Sequence, residues 1–389
     1  MKAKKRIVVL GYMGACPLAG VVWQHLHYIV GLERLGHEVY YVEDTARYPY
    51  NPITRMVEAD YGHAAKTIAK FAERFGFRDR WSFRARYLDG HPTAGLPGKR
   101  LAELYREADA ILNVCASHEL NEDLRASDRL VLVESDPGFM QIRIDNGDAA
   151  MKEELSCYRK RFTFGESIGT ARFPVPLHGL EWLPTRQPVV TSLWETAARP
   201  PAGAPFTTVT NWSASATMNW RDKPYHWSKS AEFMKFVDAP VLTQQSFALA
   251  SNISDANTRA LFERHSWRLV DPDVFNYDLD AYRAYVQASR GEFTASKEIY
   301  VVLDTAWFSD RSVCYLAAGR PVITEETGFT GLYGGERGLF GFRNMDDIVD
   351  ATGRIAADYA SHAKAALEIA KECFEAEKVL ASLIDRAGI

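Results

Sequence analysis

The sequence has 389 residues, of which 47% are hydrophobic and 25% are charged, and its formal net charge is −4. This length predicts two domains of ordinary size, each with its own core, and the composition is typical of a soluble globular protein. The small negative charge excludes a general electrostatic reason for binding nucleic acid or an anionic membrane.

The cysteines argue against a disulfide framework and against a structural zinc site. They are odd in number, scattered and without C-x-x-C spacing, which favours a reducing compartment: Cys16, Cys115, Cys157, Cys314 and Cys373. No apolar run is long enough to span a membrane, so we expect a cytoplasmic protein. Residues 2–16 could be interpreted as a lipoprotein signal, but a first strand that leads into a helix fits them better.

The first elements form a strand, glycine turn, helix and strand. Arg6–Gly11 is a buried-strand run, a helix with a regular apolar face follows, and Glu38–Val42 returns as a strand that closes on Asp44. This order predicts a doubly wound α/β domain. Tyr12 and Gly14 lie in the turn and are assigned to the acceptor side of a cleft. The G-x-x-G spacing lacks the third glycine of the dinucleotide fingerprint, so no nicotinamide or flavin cofactor is expected.

A segment of alternating arginines and aromatic residues follows the next helix, between residues 74 and 87. Such mixtures can bind a nucleic-acid strand or another flat anionic acceptor. Given the negative net charge, we favour solvated arginines on a lid over a nucleic-acid surface.

Further strands of the first domain each end in polar residues. Ala108–Val114 leads to His118, and Arg129–Glu134 leads to Asp136. These strand ends are expected to rim one crevice. A proline-rich passage between residues 183 and 206 then predicts a linker.

A second α/β pattern begins at Phe206–Thr210. It continues with a tryptophan-rich insertion (Asn211–Trp227), which contains Trp212, and a helix whose first turn holds Lys229. From Met345 the sequence is helical to Ala387. Three further apolar runs are expected to be strands: Pro240–Leu242, Trp267–Val270 and Ile299–Leu303.

The stretch Trp307–Phe329 carries most of the expected ligand chemistry. Ser309 or Asp310 can cap a helix whose first turn holds Arg311, a cation that the helix dipole disfavours unless an anion is bound there. A short strand then ends in an acidic loop, residues 325–328, where α/β sheets bind ligands. An anion at the helix start and hydroxyl groups at the loop describe a nucleotide-sugar.

These features resemble the GT-B glycosyltransferases over nearly the whole chain. The resemblance is carried by the L-G-H-E-V return to a strand, by strand Phe206–Thr210 followed by Lys229, and by F-S-D-R-S-V-C-Y-L-A-A-G-R-P-V-I followed by T-G-F. The motifs S-R-G-E-F, W-F-S-D-R-S and T-G-F together resemble one bacterial group in that class. The resemblance implies two Rossmann-like domains facing across a cleft: 1–190 binding the acceptor, a linker at 191–205, 206–365 binding the donor, and a C-terminal helix at 366–389 that packs back at the junction.

The sequence departs from the family at its catalytic signatures. The two glutamates of retaining members would fall at Ala306 and Cys314, and the histidine base of many inverting members would fall at Val21. The base is therefore sought elsewhere, first at Asp136 and then at Asp44, His118 and His25. The stereochemical course stays open.

The expected donor site uses cations, helix-start groups and carboxylates, without a metal or a cofactor. It comprises Lys229, Trp212, Glu292, Lys297, Ser309, Asp310, Arg311, Ser312, Glu325, Glu326, Thr327 and Gly328. The sequence thus predicts transfer of a sugar from a nucleotide-diphosphate donor to a small-molecule acceptor, for example a natural product or an anion. A nucleotide-sugar epimerase and a non-catalytic nucleotide-binding protein are the alternatives, nucleic acid is not expected as a partner, and the oligomeric state stays open.

Overall fold

The computed structural model describes residues 4–212 and 217–389. Residues 1–3, and residues 213–216 of the tryptophan-rich insertion, lie outside the described residues. The first domain contains the strands β1 (Arg6–Leu10), β2 (Glu38–Thr45), β3 (Tyr50–Asn51), β4 (Met56–Val57), β5 (Trp81–Ala85), β6 (Thr93–Gly95), β7 (Ala110–Val114), β8 (Leu130–Glu134), β9 (Lys160–Thr163) and β10 (Leu183–Pro184). Its helices are α1 (Ala19–Arg34), α2 (Gly62–Phe75), α3 (Gly98–Glu107), α4 (Glu122–Arg125), α5 (Phe139–Asp145) and α6 (Ala149–Ser156).

The sheet of the first domain has the strand order β10-β9-β8-β7-β1-β2-β5-β6, and all neighbours pair in parallel except β5 and β6. Strand β1 lies at its centre, and successive side chains of a strand point to opposite faces. Accordingly Ile7 and Val9 belong to one hydrophobic cluster, whereas Val8 and Leu10 belong to another. Both faces are covered, which explains why β1 reads as a continuous apolar run.

The second domain repeats the pattern with a smaller parallel sheet of order β15-β14-β11-β16-β17-β18. Its strands are β11 (Phe206–Thr210), β12 (Thr217–Trp220), β13 (Lys223–His226), β14 (Phe247–Ser251), β15 (Trp267–Val270), β16 (Gly291–Thr294), β17 (Val322–Glu325) and β18 (Leu339–Phe342). Its helices are α7 (Ser230–Lys235), α8 (Ala239–Thr243), α9 (Ala256–Arg264), α10 (Leu279–Ala288), α11 (Glu298–Val302), α12 (Asp310–Ala317), α13 (Thr330–Tyr333), α14 (Met345–Ala357), α15 (Tyr359–Ile369) and α16 (Ala376–Arg386).

Two elements of the second domain pack onto the first. Helix α11 places Ile299, Tyr300 and Leu303 in the hydrophobic cluster that also holds Leu132 of strand β8. The hairpin β12–β13 reaches helix α5, where the indole of Trp220 donates to Asp145 at 2.7 Å. The two domains therefore share buried surface.

The C-terminal helices cross back to the first domain. A π-helix, Ala370–Phe374, follows α15, and α16 then packs against α1. Gly31 of α1 has no room for a side chain, because a Cβ there would lie 2.6 Å from Leu380 and 2.8 Å from the Cβ of Ala376. Two Rossmann-like domains and a returning C-terminal helix were predicted, and this architecture confirms them.

Two of the expected strands are helices. Pro240–Leu242 lies in α8, where proline occupies the first turn, and the strand of that region is β14. Ile299–Leu303 is α11 with its C-cap, and the strand of that region is β16, which contains Glu292. Among the described residues, no helix combines the length and apolarity needed to cross a membrane.

Candidate active site between the domains

A cavity of about 400 Å³ lies between the domains, at the carboxyl ends of β1, β8 and β11. Ligands of parallel α/β sheets bind at this end of the strands. The residues that can supply polar chemistry there are Tyr12, Gln24, Ser135 and Asp136 from the first domain and Lys229, Lys297, Trp307, Ser309, Asp310 and Arg311 from the second.

Arg311 lines the cavity from the first turn of α12. Ser309 is the N-cap of this helix, and its hydroxyl accepts from the backbone N–H of Arg311 at 3.3 Å. The guanidinium forms an ion pair with Glu292 and donates to the carbonyl of Val209 and the hydroxyl of Thr294, both at 2.8 Å. Since a guanidinium has five N–H groups, two remain available to a ligand.

Glu292 is fully buried inside β16 and does not line the cavity. One carboxylate oxygen is taken by Arg311, and the other has no hydrogen-bond partner among the described residues. The sequence assigned Glu292 to sugar or ribose hydroxyl groups. In the structure its contact is to Arg311, which it orients and neutralises.

Lys229 is the cation of the cavity without a counter-charge. It is the N-cap residue of α7, whereas we had expected it in the first turn of this helix. Its ammonium lies 5.7 Å from the ring of Trp307 and has no ion-pair partner in the described part of the chain. Burial, followed by the positive charges of Arg311 and Lys297, holds the pKa of Lys229 well below its usual value. An anion bound here would relieve that repulsion.

Asp136, our first choice for the base, also lines the cavity. It forms an ion pair with Lys297 and accepts from the hydroxyl of Tyr300, and both partners come from the second domain. Burial favours the neutral acid, but Lys297, Tyr300 and Ser135 outweigh it and lower the pKa of Asp136. The carboxylate is therefore held ionised, which weakens it as a base.

Asp310 is the second carboxyl group of the cavity. Burial and the charge of nearby Asp136 raise its pKa, the side chain of Gln24 and the charge of Arg311 oppose this shift, and the resulting pKa is about 7. The sequence assigned Asp310 to donor binding as a possible helix cap. Its pKa instead places it near the value at which a carboxyl group exchanges protons at neutral pH.

Asp44 and His118 lie outside the cavity and belong to one hydrogen-bond network. Asp44 is buried and accepts from Arg84 at 2.7 Å and from Tyr105 at 3.1 Å. The backbone N–H of Asp44 donates to Nε2 of His118 at 2.7 Å, and burial lowers the pKa of His118 to about 3. This network stabilises the strand ends, and its geometry gives no support for either residue as the base.

His25, Tyr12 and Gly14 occupy the turn after β1 and the helix behind it. Nδ1 of His25 donates to the carbonyl of Val21 at 2.8 Å, and burial lowers the pKa of His25 to about 4. Its ring packs edge-on against Tyr12 with 5.1 Å between centroids. Tyr12 lines the cavity, whereas the N–H of Gly14 donates to buried Glu43 at 2.5 Å. Of these three residues, only Tyr12 is placed for contact with a ligand.

The acidic loop after β17 is bonded to itself and to its neighbours, and none of its four residues lines the cavity. Glu325 accepts from the backbone of Ser296 at 3.0 Å, and burial beside Glu232 raises its pKa to about 7. Glu326 accepts from the backbone N–H of Gly328 at 2.5 Å, and Thr327 donates to the carbonyl of Trp307 at 2.5 Å. The expected grip on sugar hydroxyl groups has no geometric support here.

Trp212 and Ser312 also lie outside the cavity. Trp212 packs edge-on against Phe262 in the core of the second domain. Ser312 is fully buried, and its hydroxyl has no partner among the described residues.

The arginines between residues 74 and 87 are paired within the protein. Arg84 and Arg86 neutralise Asp44, Arg80 pairs with Glu33, and Arg74 reaches Asp280 of the second domain at 2.8 Å. Phe77 and Phe83 are buried in the core. These contacts support neither the solvated lid nor a nucleic-acid surface, because the segment is a structural ion-pair network.

Several cavity residues were not assigned to the site from the sequence. Gln24 lies in the middle of α1, Trp227 closes the insertion, and Trp307 donates from its indole to the carbonyl of Ser135 at 2.8 Å across the domain boundary. Their roles depend on the approach of two domains that are distant in sequence. Among the described residues, no group of three or more His, Cys, Asp or Glu side chains is arranged to hold a metal ion.

No protein family matches the sequence, and no curated protein does so either. Among solved structures, the chain is similar to an alpha-glucosyltransferase in complex with UDP-glucose and DNA containing an abasic site, with a TM-score of 0.63, 11% identity and 100% of both chains covered. It is also similar to Anabaena Alr3699/HepE in complex with UDP and glucose, with a TM-score of 0.52, 11% identity and 99% of each chain covered. At such low identity these likenesses concern the fold, and they confirm that the chain has the GT-B fold.

Proposed function

We propose that the protein transfers a sugar from a nucleotide-diphosphate donor to a small-molecule acceptor. The observation that carries the proposal is Lys229, a partly buried cation without a counter-charge, beside Arg311 in the cleft of a GT-B fold. The ion pairs of Arg311 with Glu292 and of Lys297 with Asp136 balance two of the three cations. The third is left for an anionic ligand.

The diphosphate would bind between Lys229 and the two free N–H groups of Arg311. When the bond from the sugar to the donor phosphate breaks, negative charge develops on the diphosphate, and fixed cations in a cavity stabilise it strongly. Because Glu292, Val209 and Thr294 already hold the guanidinium, Arg311 needs little rearrangement as this charge develops. These groups support a mechanism without a metal ion.

We assign the proton acceptor to Asp310, with Asp136 as the second candidate. An acceptor hydroxyl loses its proton as it attacks the sugar, and a base with a pKa near the working pH is the most effective. Asp310 meets that condition, whereas Lys297 and Tyr300 keep Asp136 ionised. In this scheme Asp136 fixes Lys297 at the edge of the donor site.

A small acceptor is favoured over a nucleic acid by the contacts beside the cavity. On one flank, Arg55 pairs with Asp273 at 3.0 Å, next to the lining residue Pro272. On the other, the β12–β13 hairpin contacts α5 next to the lining residue Trp227. Although one structural neighbour is in complex with DNA, the arginine-rich segment of this chain is internally paired.

The first test is a panel of nucleotide-sugars, including UDP-glucose, assayed with and without EDTA. We expect at least one of them to raise the melting temperature and to release nucleoside diphosphate slowly, with no effect of EDTA. If none raises the melting temperature and none is hydrolysed, the proposal fails.

An epimerase is the second candidate, because two carboxyl groups, Asp136 and Asp310, line the same cavity. Epimerisation requires removal and return of a proton on the sugar, so deuterium from the solvent would enter the recovered sugar. Transfer or hydrolysis leaves the carbon-bound hydrogens in place. Binding without turnover would indicate the remaining alternative, a nucleotide-binding protein.

A further inference from the structure

A second cavity, of about 450 Å³, opens at the surface of the second domain and shares no lining residue with the interdomain cavity. It is lined by one face of the sheet, helix α10, Phe275 and linker residues 201–205, and Arg268 and Ala288 are exposed members of this lining. Most of its wall is apolar. Nothing in the proposed transfer reaction uses it.

The cavity arises from small side chains in a register row of the sheet. Thr207 of β11 pairs with Ala248 of β14, which pairs with Arg268 of β15, so the three side chains lie on the same face. Helix α10 covers this row with Tyr285 and Ala288. Alanines at 248 and 288 leave space where larger apolar residues would fill the layer between sheet and helix.

Two polar side chains of this cavity are available to a ligand. The hydroxyl of Tyr285 is buried beside Thr207 but makes no hydrogen bond of normal geometry with any described residue, and its ring stacks on Phe275 with 4.2 Å between centroids. Arg268 is exposed on the edge strand β15, where it forms no ion pair with another described residue. Buried hydroxyl groups are normally satisfied, so an unsatisfied one beside an empty apolar space indicates a missing partner.

We propose that this cavity binds a small apolar carboxylate that carries a second oxygen. Its apolar body would fill the space above Ala248 and beneath Ala288, as in other ligand pockets with apolar walls and few polar groups. Its carboxylate would lie at the open edge and accept from Arg268. Its second oxygen would lie at the buried hydroxyl of Tyr285 and accept from it.

The probe is 6-hydroxy-2-naphthoate, a fluorescent apolar carboxylate with an oxygen at the opposite end, and 2-naphthol serves as the analogue without the carboxylate. We expect saturable binding of one naphthoate per chain, weaker binding of naphthol, and no displacement by UDP-glucose. Arg268→Gln should weaken naphthoate about tenfold or more, the scale of a hydrogen bond to a charged group. It should leave the affinity for naphthol unchanged.

Three further variants complete the experiment. Tyr285→Phe should weaken the naphthoate without altering the fold, and Ala288→Leu should prevent binding by filling the space. Arg264→Gln, which changes an exposed arginine at the end of α9 away from the cavity, is the matched control. Absence of saturable naphthoate binding to the wild type would overturn the proposal. Displacement of the probe by UDP-glucose would overturn it too, and so would equal naphthoate affinity in Arg268→Gln, Ala288→Leu and the control. These results do not depend on transferase activity.

Discussion

Arg311 and Glu292 form an ion pair at the floor of the interdomain cavity, with the carboxylate fully buried and the arginine side chain 13% exposed. The pair joins the first turn of α12 to the central strand β16. The charge of Glu292 depends on Arg311, because solvent does not reach this carboxylate. Arg311 therefore serves stability and ligand binding together.

Replacing Arg311 by alanine should lower both the stability of the protein and its affinity for the ligand. The affinity for a nucleoside diphosphate should fall by about 1.5–3 kcal/mol, the scale of hydrogen bonds to charged groups. The free energy of unfolding should fall by about 3–5 kcal/mol, because Glu292 is left buried and unpaired. Urea unfolding and calorimetry with UDP measure the two effects.

The double variant Arg311→Met with Glu292→Met separates the contribution of Arg311 to stability from its contribution to ligand binding. Since no unpaired charge remains, much of the lost stability should return, while the affinity for UDP stays low. A single variant as stable as the wild type would show that Glu292 does not depend on Arg311.

Binding of a nucleoside diphosphate should be accompanied by proton uptake at Lys229. In the free protein the pKa of this ammonium is well below its usual value, and a bound anion raises it. Between the two pKa values the free lysine is neutral and the bound lysine is charged, so binding takes up a proton and strengthens as the pH falls through this range. Calorimetry with UDP in buffers of different ionisation enthalpy measures the uptake.

Lys229→Met should abolish this proton uptake and reduce the affinity for UDP by about 1.5–3 kcal/mol. Lys223→Met, on the exposed side of the β12–β13 hairpin, is the control and should bind UDP like the wild type. Equal proton uptake in the wild type and in Lys229→Met would place the titrating group elsewhere.

Asp310→Asn should reduce turnover by about 10²–10⁴-fold, the usual contribution of a general base. A base acts when deprotonated, so wild-type activity should rise with pH through about 7, the pKa of Asp310, and the variant should lose this limb. Donor affinity should change little. Steady-state rates from pH 5 to 9 provide the measurement.

Asp136→Asn is the comparison variant for the same profile. Its pKa in the wild type is below the usual value, so the limb near pH 7 should persist in this variant. If instead Asp136→Asn removes that limb and Asp310→Asn retains it, the roles of the two carboxyl groups are exchanged.

Glu134, at the end of β8, should make the protein less stable as the pH rises. Burial raises its pKa to about 8, although Gln141 donates to its carboxyl group at 3.1 Å. The folded form holds this proton until about pH 8, whereas the unfolded chain releases it near pH 4.5. The stabilisation that the protonated Glu134 provides is therefore lost as the pH rises between these two values, and it stays lost at higher pH. Glu134→Gln should therefore gain in melting temperature relative to the wild type from pH 5 to pH 9. The exposed variant Glu153→Gln should show no such trend.

The sequence predicts the elements whose pattern is set locally. Strand β1 is a continuous apolar run, α1 has a regular apolar face, and Ser309 caps α12 as the residue type suggests. The helix and its cap depend on neighbours within one helical turn, and the strand depends on burial of both its faces. Both conditions produce a recognisable pattern of residue types along the sequence.

Helix α11 shows where local pattern is insufficient. Its residues Ile299–Leu303 are apolar and partly β-branched, as in a buried strand, and short runs of this kind fit either element. The helix is stabilised by packing of Ile299 and Tyr300 against the first domain, where Gly138 allows close approach to Leu303. Those partners lie more than 150 positions earlier in the sequence, so no local pattern could reveal them.

The cations assigned to the donor site lie together in the cavity, whereas most of the assigned carboxylates lie outside it. Lys229, Lys297 and Arg311 line the cavity as expected, because each follows a strand end or begins a helix. Carboxylates depend more on what surrounds them. Glu326 is used by its own turn, Glu292 by Arg311 and Asp44 by two arginines, and the sequence shows none of these partners.

The returning helix α16 also has a consequence for synthesis of the protein. It covers α1 of the first domain, where Gly31 contacts Ala376 and Leu380, and the backbone of Val189 bonds to Phe374. Domains usually fold in order as they leave the ribosome. Here an apolar surface on helix α1 stays uncovered until α16, residues Ala376–Arg386, has been synthesised. A chaperone that shields α1 during translation would protect the nascent chain, and a premature stop before Ala376 would leave that surface open to aggregation.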